Sequence, residues 1–194
     1  MRDPGNGGVR EGMRESEWPE RIRRGDRDAF ELMFRAYYPR LCTFVERYAD
    51  LPETAEELVQ DLFVSIWEKR AQWTVRGSLA AYLFGAARNR AFDHLKHRRV
   101  RRRLLDHGSG AVPGMAEAGP AVDDRMHSET VARAVDDAIQ QLPERARLAV
   151  VLRWQQQMTY AEIAAVMEVS VKGVENQLGR AVKVLRERLA HLRA

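Results

Sequence analysis

MTYAEIAAVMEVSVKGVENQLGRAVKVLRERL, residues 158–189, is the stretch that decides how this chain folds. Thr159 and Glu162 have the Thr-x-x-Glu spacing of a capping box, in which each side chain satisfies a backbone N–H that the first helical turn leaves without a partner. Met158 and Ile163 stand at the hydrophobic staple positions around it, so the pattern predicts a helix from Tyr160. Eleven residues later the signal repeats, with Ser170 as the cap and Val169 and Val174 as the staple. In this second helix Val174, Leu178, Val182, Leu185 and Leu189 share one face, which buries against Ile163, Ala164 and Met167. The other face carries Lys172, Glu175, Asn176, Arg180 and Lys183, close to the capped start where a recognition helix meets base edges and phosphates. The pair reads as a helix-turn-helix, with Ser170, Lys172, Glu175, Asn176, Arg180 and Lys183 as candidate contacts to duplex DNA. A helical hairpin with a merely solvated polar face has the same pattern.

The totals fit that reading without deciding it. A chain of 194 residues can build two small domains or one larger one. Its net charge of +4 and pI near 9.5 suit an anionic partner. Cys42 is the only cysteine, so no intramolecular disulfide can form, and a reducing, cytoplasmic compartment is expected. No apolar run is long enough to cross a bilayer, and the opening MRDPGNGGVREGMRE lacks the apolar core of a signal peptide. Residues 1–15 read as a disordered tail.

From residue 17 to 48, Ile22, Ala29, Phe30, Met33, Phe34, Tyr37, Leu41, Phe44, Val45 and Tyr48 recur at helical steps, with a break near Gly25 and an easing at Pro39. After a turn at residues 50–53, Thr54 and Glu57 form another capping-box pair, which predicts a helix over 55–70. Leu58, Leu62, Phe63, Ile66 and Trp67 belong to its inner face; Glu56, Glu57, Gln60, Asp61 and Ser65 lie toward water or a partner. QWTVRGS, residues 72–78, is a loop turning on Gly77. Ser78 opens the next helix, whose inward set is Leu79, Tyr82, Leu83, Ala86, Ala87, Ala91, Phe92 and Leu95. Residues 88–103 hold eight Lys or Arg (Arg88, Arg90, Lys96, Arg98, Arg99, Arg101, Arg102, Arg103) against the single acid Asp93, a density that points to phosphates.

Residues 104–127 are rich in Gly, Ala and Pro, have no sustained period, and read as a flexible linker. Beyond them Val131, Val135, Ala138, Ile139 and Leu142 mark a helix, and Pro143 sits at the first turn of another containing Leu148, Val151 and Leu152. Nothing reads as a strand pair. The expected architecture is all-α, with one helical domain over 16–103 and a helix-turn-helix domain over 128–194.

The order of these pieces resembles the sigma-70 family of bacterial transcription initiation factors, in its compact extracytoplasmic-function (ECF) group. RIRRGDRDAFELMFRAYYPRL and AEELVQDLFVSIWEKR are similar to the family's region 2, the latter to its polymerase-binding helix. YLFGAARNRAFDHL is similar to the promoter-melting helix, with Asn89 and Asp93 at its Asn and Asp positions; QLPERARLAVVLRW and residues 158–189 are similar to region 4. The resemblance implies that Glu57, Gln60, Asp61 and Trp67 dock on the clamp helices of core RNA polymerase. It implies that the loop at 72–78 captures an unstacked base of the −10 element, with Asn89 near the melted strand; Trp73, Arg76, Arg88, Arg90 and Lys96 are the candidates beside them for stacking and charge. Stacking platforms and a cationic groove are what single strands need, although a tryptophan such as Trp73 is equally at home in a core. It further implies promoter DNA, the polymerase flap and an anti-sigma factor as partners, no cofactor, and no membrane insertion.

The second helix departs from the commonest ECF pattern. Glu175 and Gln177 stand where Lys or Arg is usual, Glu168 occupies a turn position where Gly is frequent, and Gly173 and Gly179 each weaken the helix by about 1 kcal/mol relative to Ala. Glu175 can accept from a cytosine amino group, Asn176 can bracket an adenine, and Arg180 can read guanine or hold a phosphate. Asp93, His94 and His97 have a spacing a metal can use, but their arginine-rich surroundings repel cations. Glu53, Glu56, Glu57 and Asp61 stand without the second cluster or phosphate loop a nuclease needs, and no nucleophile is paired with a base. The expected function is an ECF-type sigma factor, not an enzyme, that gives core polymerase its promoter choice. A free-standing helix-turn-helix repressor or activator is the alternative.

Overall fold

The computed structural model describes the backbone of residues 14–49, 51–105 and 128–190, and the side chains of 14–49, 51–100 and 134–190. Every regular element among the described residues is helical, and the chain divides into two compact units at residues 112/113. The division falls in the expected linker, which beyond Leu105 lies outside the described residues, as does the expected tail before residue 14.

In the first unit a 3₁₀ turn at Glu15–Glu17 leads into α1 (Trp18–Arg23). Gly25, at φ 87°, takes the left-handed turn that a side chain resists. Asp26 then caps α2 (Arg27–Val45): its Oδ1 accepts from the Ala29 N–H at 3.1 Å, and Arg21 holds Oδ2 at 2.6 Å. α2 passes through Pro39 without stopping. Pro39 and Arg35 are both exposed, so the carbonyl left without its donor lies on the wet side of the helix.

α3 (Pro52–Glu68) corrects one sequence expectation. Thr54 does not cap it; the helix begins at Pro52 with Leu51 as the N-cap, and the Thr54 N–H already bonds the Leu51 carbonyl at 3.1 Å. A proline at the first helical position has its φ preset and no N–H to leave unpaired, and that outweighs a side-chain cap two residues later. The stripe Ala55, Val59, Leu62, Phe63 and Ile66 is buried; Trp67 and Leu58 are half-buried at its edges. A 3₁₀ turn (Arg70–Gln72) and an extended loop lead to α4 (Leu79–Leu105). α4 packs on α2 and α3, burying its Leu83, Phe84, Ala87 and Ala91, with Phe44 of α2 and Phe84 edge-on at 5.2 Å.

In the second unit α5 (Ser128–Gln140) packs on α6 (Glu144–Val150), which starts one residue after Pro143. α6 runs into a π turn, Val151–Gln155, whose last bond joins the Gln156 N–H to the Val151 carbonyl at 3.1 Å. α7 (Tyr160–Met167) has the expected capping box complete: the Glu162 N–H donates to Thr159 Oγ1 at 3.3 Å, and the Thr159 N–H to Glu162 Oε2 at 2.8 Å. Met158 and Ile163 are buried beside it as a staple requires. Glu168 then turns the chain in the left-handed conformation (φ 55°, ψ 45°), and Ser170 caps α8 (Val171–Arg188) by accepting from the Gly173 N–H at 3.1 Å. Val174, Leu178 and Ala181 of α8 bury against α6 and α7. The last of these, small enough for close helix approach, was absent from the apolar pattern.

Candidate nucleic-acid interface

The side of α8 turned away from Val174, Leu178 and Ala181 exposes Lys172, Glu175, Asn176, Gly179, Arg180 and Lys183, so the structure brings the expected duplex contacts onto one face. Ser170 stands at the head of that face with its hydroxyl oxygen accepting from Gly173, which leaves the hydroxyl proton to donate outward. Lys172 Nζ donates to Glu175 Oε2 at 2.8 Å, and this hydrogen bond raises the ammonium pKa above its ordinary value. Both side chains are exposed, so the pair contributes little to stability. It does fix where a carboxylate sits in an otherwise cationic row.

On α4 the expected residues divide. At about 100° per residue, Asn89 and Lys96 share the side opposite the core, with Arg88 and Arg90 flanking it on opposite sides. Arg88 lies over the Phe92 ring at 5.7 Å and its Nε donates to Asn89 Oδ1 at 3.3 Å. Aromatic and amide thereby hold its guanidinium along the helix. The loop before α4 turns at Gly77 (φ 83°) and leaves Arg76 exposed. Trp73 takes the core alternative: it is 6% exposed and meets Tyr82 edge-on at 5.7 Å. Its Nε1 is buried with no protein acceptor, and its ring lines a cleft of about 460 Å³ between the loop and α1. Glu20, at the rim, has its pKa lowered to about 2, chiefly by the hydrogen bond from Arg23, so the rim remains charged at neutral pH.

The outer stripe of α3 holds Glu57, Gln60 and Asp61, all exposed. Gln60 Nε2 donates to Tyr38 Oη at 3.1 Å. Trp67, at the edge of the stripe, packs on Phe30 at 5.0 Å and beneath the Arg70 guanidinium at 4.5 Å. Val64 lies among them, 54% exposed, and the sequence reading passed over it. The signal was present: Val64 is out of phase with the buried positions 55, 59, 62, 63 and 66. Val171, exposed at the first turn of α8, was missed in the same way.

Two family descriptions match the chain in order: sigma-70 region 2 over residues 33–103 and sigma-70 region 4 over residues 132–185. The chain belongs to the sigma-70 family. Among its relatives are the RNA polymerase sigma factor CarQ of Myxococcus xanthus, 32% identical over 89% of this chain and 96% of that one, and the RNA polymerase sigma-H factor of Pseudomonas aeruginosa, 31% identical over 89% and 92%. The ECF sigma-E factor of Escherichia coli K12 is 31% identical over 84% and 87%. Two solved structures share the fold: CnrH in complex with the cytosolic domain of CnrY (TM-score 0.63, 23% identity, 91% and 97% covered) and RpoE in complex with the anti-sigma factor NepR from Bartonella quintana (TM-score 0.60, 22% identity, 83% and 96% covered).

As an ECF sigma factor the protein directs transcription initiation, and the free-standing repressor or activator is not favoured. Region 2 contains the α3 stripe, the 73–78 loop and the cationic side of α4; region 4 contains the π turn and the helix-turn-helix. No described helix is long and apolar enough to cross a membrane, and no metal-sized group of His, Cys, Asp and Glu occurs among the described residues.

Proposed function

We propose the following division of labour within this sigma factor. Ser170, Lys172, Glu175, Asn176, Arg180 and Lys183, joined by Val171, contact duplex DNA at the −35 element. Asn89, Lys96, Arg88, Arg90 and Arg76 hold the melted strand at −10, and the cleft beside the 73–78 loop takes one unstacked base, with Trp73 as its wall. Glu57, Gln60, Asp61 and Trp67, with Val64 between them, dock on the clamp helices of core polymerase, and region 4 meets the flap.

The observation that supports this reading is the segregation of α8: Val174, Leu178 and Ala181 are buried on the side packed by α5, α6 and α7, Val182, Leu185 and Leu189 are half-buried, and a polar, mostly cationic side is left open from the capped start onward. Each module alone binds weakly, because tethered sites gain affinity only when a scaffold sets their separation. On this reading the protein works in the cytoplasm as an initiation factor with no catalytic role of its own; its one cysteine is buried, and desolvation pushes the thiol pKa up. CnrH and RpoE are seen with the cytosolic domain of CnrY and with NepR, and an anti-sigma protein of that kind is the expected regulator here.

In vitro transcription from genomic promoter fragments, with core polymerase and with or without the protein, tests the reading. Specific initiation is expected only in its presence. Arg180→Ala should change −35 preference, and Glu57→Gln with Asp61→Asn should weaken core binding while leaving DNA contacts intact. Failure to bind core would sink the proposal.

A further inference from the structure

We propose that Glu175 is a specificity-determining residue that selects a cytosine at one position of the upstream element, with Lys172 as the positioning residue for its carboxylate; this rests on the assignment of α8 to duplex DNA made above. Glu175 is the only acid between residues 171 and 186, a stretch that also carries Lys172, Arg180, Lys183 and Arg186. It stands one turn inside the capped start of α8 on the open face, with its side chain 43% exposed. A carboxylate entering a groove walled by phosphates is repelled unless a base offers it a donor.

In the major groove the donors are the exocyclic amino groups of cytosine and adenine; guanine and thymine present acceptors, which a carboxylate repels. Adenine sets its N7 acceptor beside the amino group, against the second carboxylate oxygen. Cytosine has only a C–H there, so cytosine is the base this group accepts best. Lys172 supplies the positioning. Its ammonium binds Oε2 at 2.8 Å, so Oε1 remains as an acceptor for a base and two ammonium protons remain for a phosphate. The same bond offsets part of the repulsion between the carboxylate and the backbone.

The test is transcription by reconstituted holoenzyme from a promoter library with a randomised upstream element and a fixed −10 element, read by sequencing the transcripts. The wild type should enrich cytosine at one position about tenfold, and Glu175→Gln should move that preference to adenine, which glutamine pairs bidentately, leaving a cytosine bias of no more than about twofold. Lys172→Met should blunt the cytosine preference at that position and spare the others. An unchanged cytosine preference in Glu175→Gln, or specific initiation by the wild type with no cytosine preference anywhere, overturns the proposal. Absence of any promoter-dependent transcription by the wild type instead removes the reading on which it rests. Because Glu175 is exposed, an unchanged thermal melt should accompany the glutamine variant.

Discussion

Gly179→Ala should stabilise α8. Gly179 lies in the interior of α8, is exposed, and has no positive φ to protect. A Cβ placed there meets nothing within 4 Å. The gain is therefore the difference in helix propensity, about 1 kcal/mol. Gly173 is the internal control: a Cβ there comes 3.3 Å from Val169 Cβ and 3.5 Å from Ser170 Oγ, so alanine must push on the staple and the cap it is meant to help. Hydrogen exchange of the full chain reads the result locally, and amides of α8 that exchange through unfolding of the second unit should slow about fivefold in Gly179→Ala, the equivalent of about 1 kcal/mol. Gly173→Ala should gain clearly less. Equal protection in the two variants, or none in Gly179→Ala, would refute the argument from open space.

Glu168 sits at φ 55° and ψ 45°, so Glu168→Gly should relieve left-handed strain and raise stability by about 1 kcal/mol in urea unfolding. Thr159→Ala removes the side-chain acceptor for the Glu162 N–H and one of the two donors to its carboxylate, and should lower the midpoint of the same transition by the equivalent of about 1 kcal/mol. Asp26 has its carboxyl pKa held below the usual value, first by the Ala29 N–H and then by Arg21. Its stabilisation is therefore present above the unfolded carboxyl pKa near 4 and is lost as pH falls through the lower folded value. Asp26→Asn, which keeps a capping oxygen, should flatten the fall in stability below about pH 4 when unfolding is followed as the pH is lowered.

What was legible in the sequence was local hydrogen-bond chemistry and periodicity. Thr159 with Glu162, and Ser170 before Val171, announced two helix starts because a capping bond spans only three residues and needs no tertiary partner. Thr54 with Glu57 carried the same signature, yet Pro52 began the helix first. Local signals compete, and a proline ring with fixed φ outranks a hydroxyl. Periodicity put Glu57, Gln60 and Asp61 of α3 and Lys172, Glu175, Asn176, Arg180 and Lys183 of α8 on exposed faces, as found, but was blind to depth: it missed Phe84 and Ala181, whose burial depends on which helices cross above them, and counted Val182, Leu185 and Leu189 as buried when they are half-exposed. Trp73 was undecided for the same reason, since stacking surface and core filler use one indole ring. The left-handed residues Gln157 and Glu168 carry no compositional mark, being neither Gly nor Asn.

The π turn at Val151–Gln155 accommodates one residue more than an α-helical path of the same rise. A sister sequence lacking that residue can run straight from α6 toward α7 and still deliver the helix pair to the same seat. A relative one residue shorter between α6 and α7 would therefore take its gap inside 151–155, where removing a residue leaves α6 and α7 themselves intact.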